Sequence, residues 1–394
     1  MKMKKLFAGI GLAALLLASC IQDEALNKEA AIDGCTGTYI QQATIDSYQF
    51  TIQLYVSRAA NPSSIEIDFK IPYGATIAPV SAEKGDHGSF YDFSKSKTRE
   101  FEVISEDQAF RARYSITVHI DVEMPERYSF ETLNAINPYH VFYEQYFEEV
   151  EGEEEPIRYR LEWASGNPGY NLTKEAKVPQ DFPTVQVDGG WMNTKAVKLT
   201  TCDTGSFGEG VHMPIAAGNL FIGDFDLANA LKAPRQATHF GFPFFKKPIK
   251  LEGYYKFKRG AIFSENGQAQ PGKQDECDIY GVFYETDDQL QTLDGDNSLT
   301  SDRIVSIARF HADSQTSYLP ESESSYLPET DEWTKFELPF VLKNGKSIDK
   351  TKLEEGKYKL AIVFSSSVDG AFFKGAIGST LHIDEVKLTT ENVK

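Results

Sequence analysis

Seven acidic residues in the C-terminal half of this chain stand where a carboxyl group could do chemistry: Glu209, Asp224, Asp226, Asp278, Glu285, Asp384 and Glu385. Cleaving a glycosidic bond with carboxyls takes two of them, about 5 to 9.5 Å apart across the bond. Nothing in the spacing selects such a pair. Asp224 and Asp226 would share one face of an extended segment, but Gly223-Asp224-Phe225-Asp226 is equally a turn. There is no GxSxG, HExxH or CxxC, and Cys202 has no neighbouring base. Gly218, Gly223, Gly241 and Gly253 lack the spacing of a phosphate loop. No catalytic residue, metal ligand or cofactor is therefore assigned. Aromatic rings offer a different chemistry, because the apolar face of a pyranose stacks on a ring whose polar edge stays wet. The rings to suspect lie in the outward phase of a strand or at its entrance. Tyr254 is outward beside Glu252 and Lys256, Trp333 stands opposite in phase to Phe336 and Leu338, and Trp191 opens a strand.

The elements that would hold these residues are strands. Leu251 to Phe257, Asp278 to Glu285, Ile304 to Phe310, Phe336 to Leu342 and Tyr358 to Phe364 read as strands, with one short helix predicted at Asp226 to Leu231. This pattern predicts two packed antiparallel sheets in a jelly roll. In the last strand the apolar phase changes from Leu381 and Ile383 to Val386 and Leu388, which predicts a bulge near Asp384. Further forward, Tyr48, Phe50, Ile52, Leu54 and Val56 alternate with polar residues, as do Ile65 to Ile71 and Tyr114 to Val122. These strands predict a smaller sandwich, with His119 on its solvated face. The join falls near Met124 to Arg127, where strand periodicity ends and an aromatic-rich segment begins.

Composition narrows the setting. With 41 % hydrophobic and 12 % aromatic residues the chain can build a core, and a net charge of −18 argues against nucleic acid as a partner. Lys2, Lys4 and Lys5 precede an apolar run, Leu6 to Leu17, too short for the ~20 residues that span a bilayer. Leu17-Ala18-Ser19-Cys20 resembles a lipobox, which implies acylation of Cys20 and attachment to the membrane by the lipid anchor alone. Asp23 and Glu24 look like an export signal of surface lipoproteins. Residues 20–38 then serve as a tether. Cys35, Cys202 and Cys277 make no disulfide framework, and the glutamates from Glu148 to Glu155 read as a solvated loop.

The densest concentration of glycine, proline and aromatic residues runs from Phe207 to Arg259. Its phrases Ala217-Gly218-Asn219-Leu220-Phe221, Phe240-Gly241-Phe242-Pro243-Phe244 and Gly253-Tyr254-Tyr255-Lys256-Phe257, with Trp163 to Tyr170, resemble the bacterial putative carbohydrate metabolism domain family. The front strands are similar to immunoglobulin-like modules of Bacteroidota surface lipoproteins. The resemblance implies an all-β chain: a signal peptide over 1–19, an immunoglobulin-like β-sandwich spacer over 39–125, and a larger jelly-roll β-sandwich over 126–394. Taken with the outward-phase rings, the reading is an outer-membrane lipoprotein whose jelly roll binds a glycan without catalysis, through Trp191, Tyr254 and Trp333. A glycoside hydrolase or lyase, and a protein-binding or adhesive subunit of a surface complex, remain the alternatives.

Overall fold

The computed structural model describes residues 26–394 apart from 58, 121, 135–137, 149–156, 288, 311–326, 344 and 394. The leader with Cys20, and the glutamates after Glu148, lie outside the described residues. The fold is an all-β sandwich architecture, and among the described residues the longest helix is the short Gly205–Gly210.

The front of the chain forms a five-stranded sheet in the order Ile40–Asp46, Thr51–Val56, Arg111–Ile120, Thr98–Ile104, Thr76–Pro79. The Thr51–Val56 and Arg111–Ile120 pair is parallel, with Thr51 opposite Ser115, and the other pairs are antiparallel. Its inward phase, including Ile52, Leu54, Phe101 and Ile116, packs against the short pairs Gly34–Thr36 with Asp68–Lys70 and Ile65–Glu66 with Phe90–Tyr91. The tether, read to residue 38, thus shares its last residues with the fold, since Ile32 and Cys35 are buried in this core. The alternating run from Tyr48 enters its strand only at Thr51. The Asp46 carboxylate accepts from the backbone N–H groups of Tyr48 and Gln49, which turns the chain and leaves Phe50 exposed with φ +53°.

The rest of the chain builds two larger sheets. The first has the order Thr184–Asp188, Lys195–Thr200, Thr380–Glu391, Lys247–Lys258, Thr330–Pro339, with Arg127–Tyr128 also pairing to Thr380–Glu391. The second runs Asn219–Phe221, Tyr358–Ser365, Asp278–Glu285, Ile304–Arg309, Val341–Leu342, with Phe242–Pro243 also on Tyr358–Ser365. Between them lies the largest core, where Leu251, Tyr255, Phe257, Leu381 and Ile383 meet Ile279, Phe283, Leu360, Ile362 and Phe364. Each such side chain contributes about 1.5–3 kcal/mol of burial. The predicted bulge is present. Glu252 pairs with Lys387 and Tyr254 with Asp384, so one strand advances two residues while the other advances three, and Glu385 takes φ +46° to absorb the difference.

The front sheet is packed against the large sandwich. Tyr55, Val122 and Met124 belong to the larger core, and the Tyr55 ring lies 4.6 Å from Phe242, edge to face. His119 corrects the expectation of a solvated histidine. It stacks on Tyr55 at 5.1 Å, places Nε2 2.7 Å from Gln53 Oε1, and is pushed down to about 4 by burial. Its strand face is polar in sequence, but the neighbouring Tyr55 packs against Phe242 of the large sandwich and leaves the imidazole half-buried.

Candidate functional site

The second large sheet is apolar on both faces. Tyr280, Val282, Tyr284, Ala361 and Val363 alternate with the inward residues of the same strands and form a separate cluster with Phe221, Phe240 and Leu293. Loops roof this outer face. At one end they leave a cavity of about 250 Å³ floored by Phe221, Tyr280 and Val363. Much of its wall comes from the stretch that begins at Phe207: Phe207, Val211, Phe225, Leu231 and Arg235, joined by Phe372. Two glycines shape that wall. A Cβ on Gly208 would meet the Thr204 hydroxyl at 2.0 Å, and one on Gly223, at φ +151°, would meet the His239 carbonyl at 1.9 Å. Only glycine lets the helix and the paired strands Gly223–Phe225 and Thr238–Phe240 close this tightly. Phe207, Leu231 and Phe372 stand 40 %, 47 % and 49 % exposed and make an apolar rim.

One carboxylate, Asp278, lines the cavity among the described residues. Arg309 donates to it twice, from Nε at 3.0 Å and Nη2 at 2.6 Å, and the guanidinium carbon lies 5.8 Å from the Tyr280 ring centroid. At the rim Arg235 pairs with Asp296 at 2.9 Å and covers the Phe372 ring at 5.0 Å. The other acidic candidates are scattered. Asp224 contacts His239 Nδ1 at 2.8 Å and accepts from Gln42 Nε2 at 3.0 Å, and Asp226 caps the turn Leu227–Asn229. Glu285 accepts from Lys352 at 2.6 Å, and Glu209 is exposed. Among the described residues no group of three or more His, Cys, Asp or Glu side chains could hold a metal ion.

Trp191, Tyr254 and Trp333 do come together, but on the outer face of the first sheet, away from the cavity. Trp191 lies flat on Tyr254, with ring centroids 3.9 Å apart and planes within 10°. A neighbouring turn and strand hold Trp333, whose indole N–H donates to the Gly189 carbonyl at 3.2 Å while the Lys256 ammonium sits 4.9 Å from the ring. The bulge anchors this patch. The Trp191 and Glu385 backbone N–H groups and the Thr194 hydroxyl all donate to the buried Asp384 carboxylate, and a Cβ on Gly190 would strike it at 2.5 Å. Burial pushes Asp384 up to about 6 against those donors, and pushes nearby Glu144 up to about 7. One face of Trp191 and one of Tyr254 are therefore closed by each other, so a sugar could meet only the outward faces.

The model of the "Putative carbohydrate metabolism domain" matches residues 129–389. Two solved structures are similar over long stretches. One, described as a putative glycoside hydrolase from Bacteroides thetaiotaomicron, is 41% identical, with a TM-score of 0.76 over 94% of this chain and 100% of its own. The other, described as a putative glycoside hydrolase from Bacteroides vulgatus, is 39% identical, with a TM-score of 0.57 over 68% of this chain and 99% of its own. Comparison with curated proteins gave no match.

Proposed function

Since this chain belongs to the family of the putative carbohydrate metabolism domain, we propose that it is a glycan-binding protein whose large sandwich acts without catalysis. The observation that carries this reading is that, among the described residues, Asp278 is the one carboxylate lining the cavity, and it is already held by two hydrogen bonds from Arg309. Among the described residues lining the cavity, glycoside hydrolysis by paired carboxyls has no second partner. An aromatic rim is instead what a sugar ring needs for stacking. In this reading Phe207 and Phe372 are the stacking rings of the cavity mouth, and Trp191, Tyr254 and Trp333 offer a second, shallower surface through their outward faces. The whole molecule is anchored through acylated Cys20 at the outer membrane, with the front sandwich as its spacer.

A hydrolase is the rival reading, favoured by Asp384 and Glu144, two buried carboxyls raised toward neutrality, the first of them beneath the half-buried pair Trp191 and Tyr254. The three donors already on Asp384 stand against it, because they fasten the carboxylate to the bulge. One experiment separates the two. A glycan array on the soluble chain is followed by titration of each hit against Phe207→Ala, Phe372→Ala and Trp191→Ala, with product release assayed in parallel. Base stacking on an aromatic side chain, the nearest analogue, is worth ~1–3 kcal/mol, so loss of a true platform should weaken binding roughly five- to a hundredfold. Turnover that vanishes in Asp384→Asn or Glu144→Gln transfers the assignment to the hydrolase. Membrane attachment is checked apart from this: Cys20→Ala should release the protein from outer-membrane fractions washed in high salt.

A further inference from the structure

The polar side chains of the cavity are already engaged with the protein. The hydroxyls of Thr173, Thr184, Thr204 and Thr238 donate to the backbone carbonyls of Tyr170, Asn219, Met213 and Arg235. Ser365 donates to the Ser367 carbonyl, Ser367 to Asp275, Tyr170 to the Asp203 carbonyl and Tyr280 to Ser298. The Asn219 side chain accepts from the Gly166 N–H and donates to the Ala217 carbonyl. Asp278 and Arg235 are each ion-paired. What faces the space is therefore mostly ring and aliphatic carbon, with hydroxyl lone pairs, the Ser298 hydroxyl that accepts from Tyr280 and, at the rim, the remaining guanidinium nitrogens of Arg235.

A pyranose buried whole in such a space would leave several of its hydroxyls without partners, and each unpaired buried polar group is costly. An apolar group meets no such cost. An engineered apolar cavity of ~150 Å³ takes up benzene, and the space here is about 250 Å³. We infer that the cavity receives an apolar substituent of a saccharide, an aryl or short acyl group of about benzoyl size, while the sugar itself stays at the rim against Phe207, Phe372 and Arg235. This rests on the reading of the rim as a glycan site and adds to it the class of glycan: esterified or aryl-linked rather than bare.

The test compares methyl and phenyl β-glycosides of glucose, galactose, xylose and N-acetylglucosamine by calorimetry, using the full chain with Cys20→Ala. The phenyl form should bind roughly ten- to a hundredfold tighter than the methyl form of the same sugar. Val363→Phe, which fills the cavity from its floor, should bring that ratio close to one. Should this variant unfold, the wild type still decides: excess benzyl alcohol should weaken the phenyl glycoside and leave the methyl glycoside alone. Equal affinity of the two forms overturns the inference and leaves the glycan reading standing. Benzyl alcohol binding as tightly as the phenyl glycosides overturns both, since the sugar would then add nothing, and so does the failure of every glycoside to bind.

Discussion

The two outer faces of the large sandwich are made by antiparallel strands around one core, yet they end in opposite states. On the first sheet the outward phase is charged and aromatic. Glu252 is ion-paired to Lys250 and Lys335, Lys335 to Glu337, and Trp191 closes on Tyr254. On the second sheet the outward phase is Tyr280, Val282, Tyr284, Ala361 and Val363, and loops cover it. A face that can be wetted satisfies its side chains locally and has no need of a roof. An apolar face requires one, and where the roof fits imperfectly a cavity forms. The apolar face also continues past the cavity to Lys359, which lies buried under Gln42 of the front sheet and donates to its Oε1 at 3.3 Å. The front module thus closes the other end of the same face.

The sharpest test of this contrast is stability. Phe221, fully buried on the roofed face, should cost about 3–5 kcal/mol when replaced by alanine, measured as a shift of the urea midpoint. A loss under about 1 kcal/mol would mean that the roof is not a packed layer.

Lys359 provides the next largest effect. Burial lowers it from 10.5 to about 8, so between those values the unfolded chain holds a proton that the folded chain has released. Stability should therefore rise as pH climbs from about 8 to 10.5, by about 3 kcal/mol in order of magnitude. The difference between wild type and Lys359→Met, followed by denaturant titration across that range, should carry this slope, and a flat difference would mean that the lysine is open to solvent.

On the wetted face the pH effect has the opposite sign and is smaller. Asp384 is raised from 3.8 to about 6, so the folded state holds the extra proton. Relative to Asp384→Asn, wild-type stability should fall as pH rises from about 4 to about 6. A rise over that interval would mean that the three donors outweigh burial.

The smallest effect belongs to Glu252. Its carboxylate, held down to about 2 first by the bond from Lys250, lies half-buried under the lysines of the outward phase of the first sheet. Glu252→Gln should cost less than about 1 kcal/mol and should cost still less in high salt. A larger, salt-insensitive loss would show that this face is covered after all.

How much of this was legible in the chain differs between the two faces. Alternation identified the first sheet's outward residues, and the phase slip at Leu381 to Leu388 marked the bulge before any contact was known. The roofed face left a weaker mark, in the nearly unbroken apolar runs Asp278–Glu285 and Tyr358–Ser365, which are the signature of strands buried on both sides. Such runs show that something covers the strand without showing what. The covering loops come from around residues 205–240, 290–299 and 370–373, and no local pattern links them.

What the sequence alone determined is the material: strand periods, their phases, the acidic surface, and the glycines that permit close approach. Those follow from chain geometry that repeats every two residues and needs no distant partner. Only the tertiary structure decided which of the two outward phases would meet solvent, that Trp191 would lie on Tyr254 instead of standing free, that His119 would be half-buried against Tyr55, and that Asp278 would be the one carboxylate lining the cavity among the described residues. Each of these depends on contacts between residues far apart in the chain, and the energy of such a contact is set by what the other segment presents.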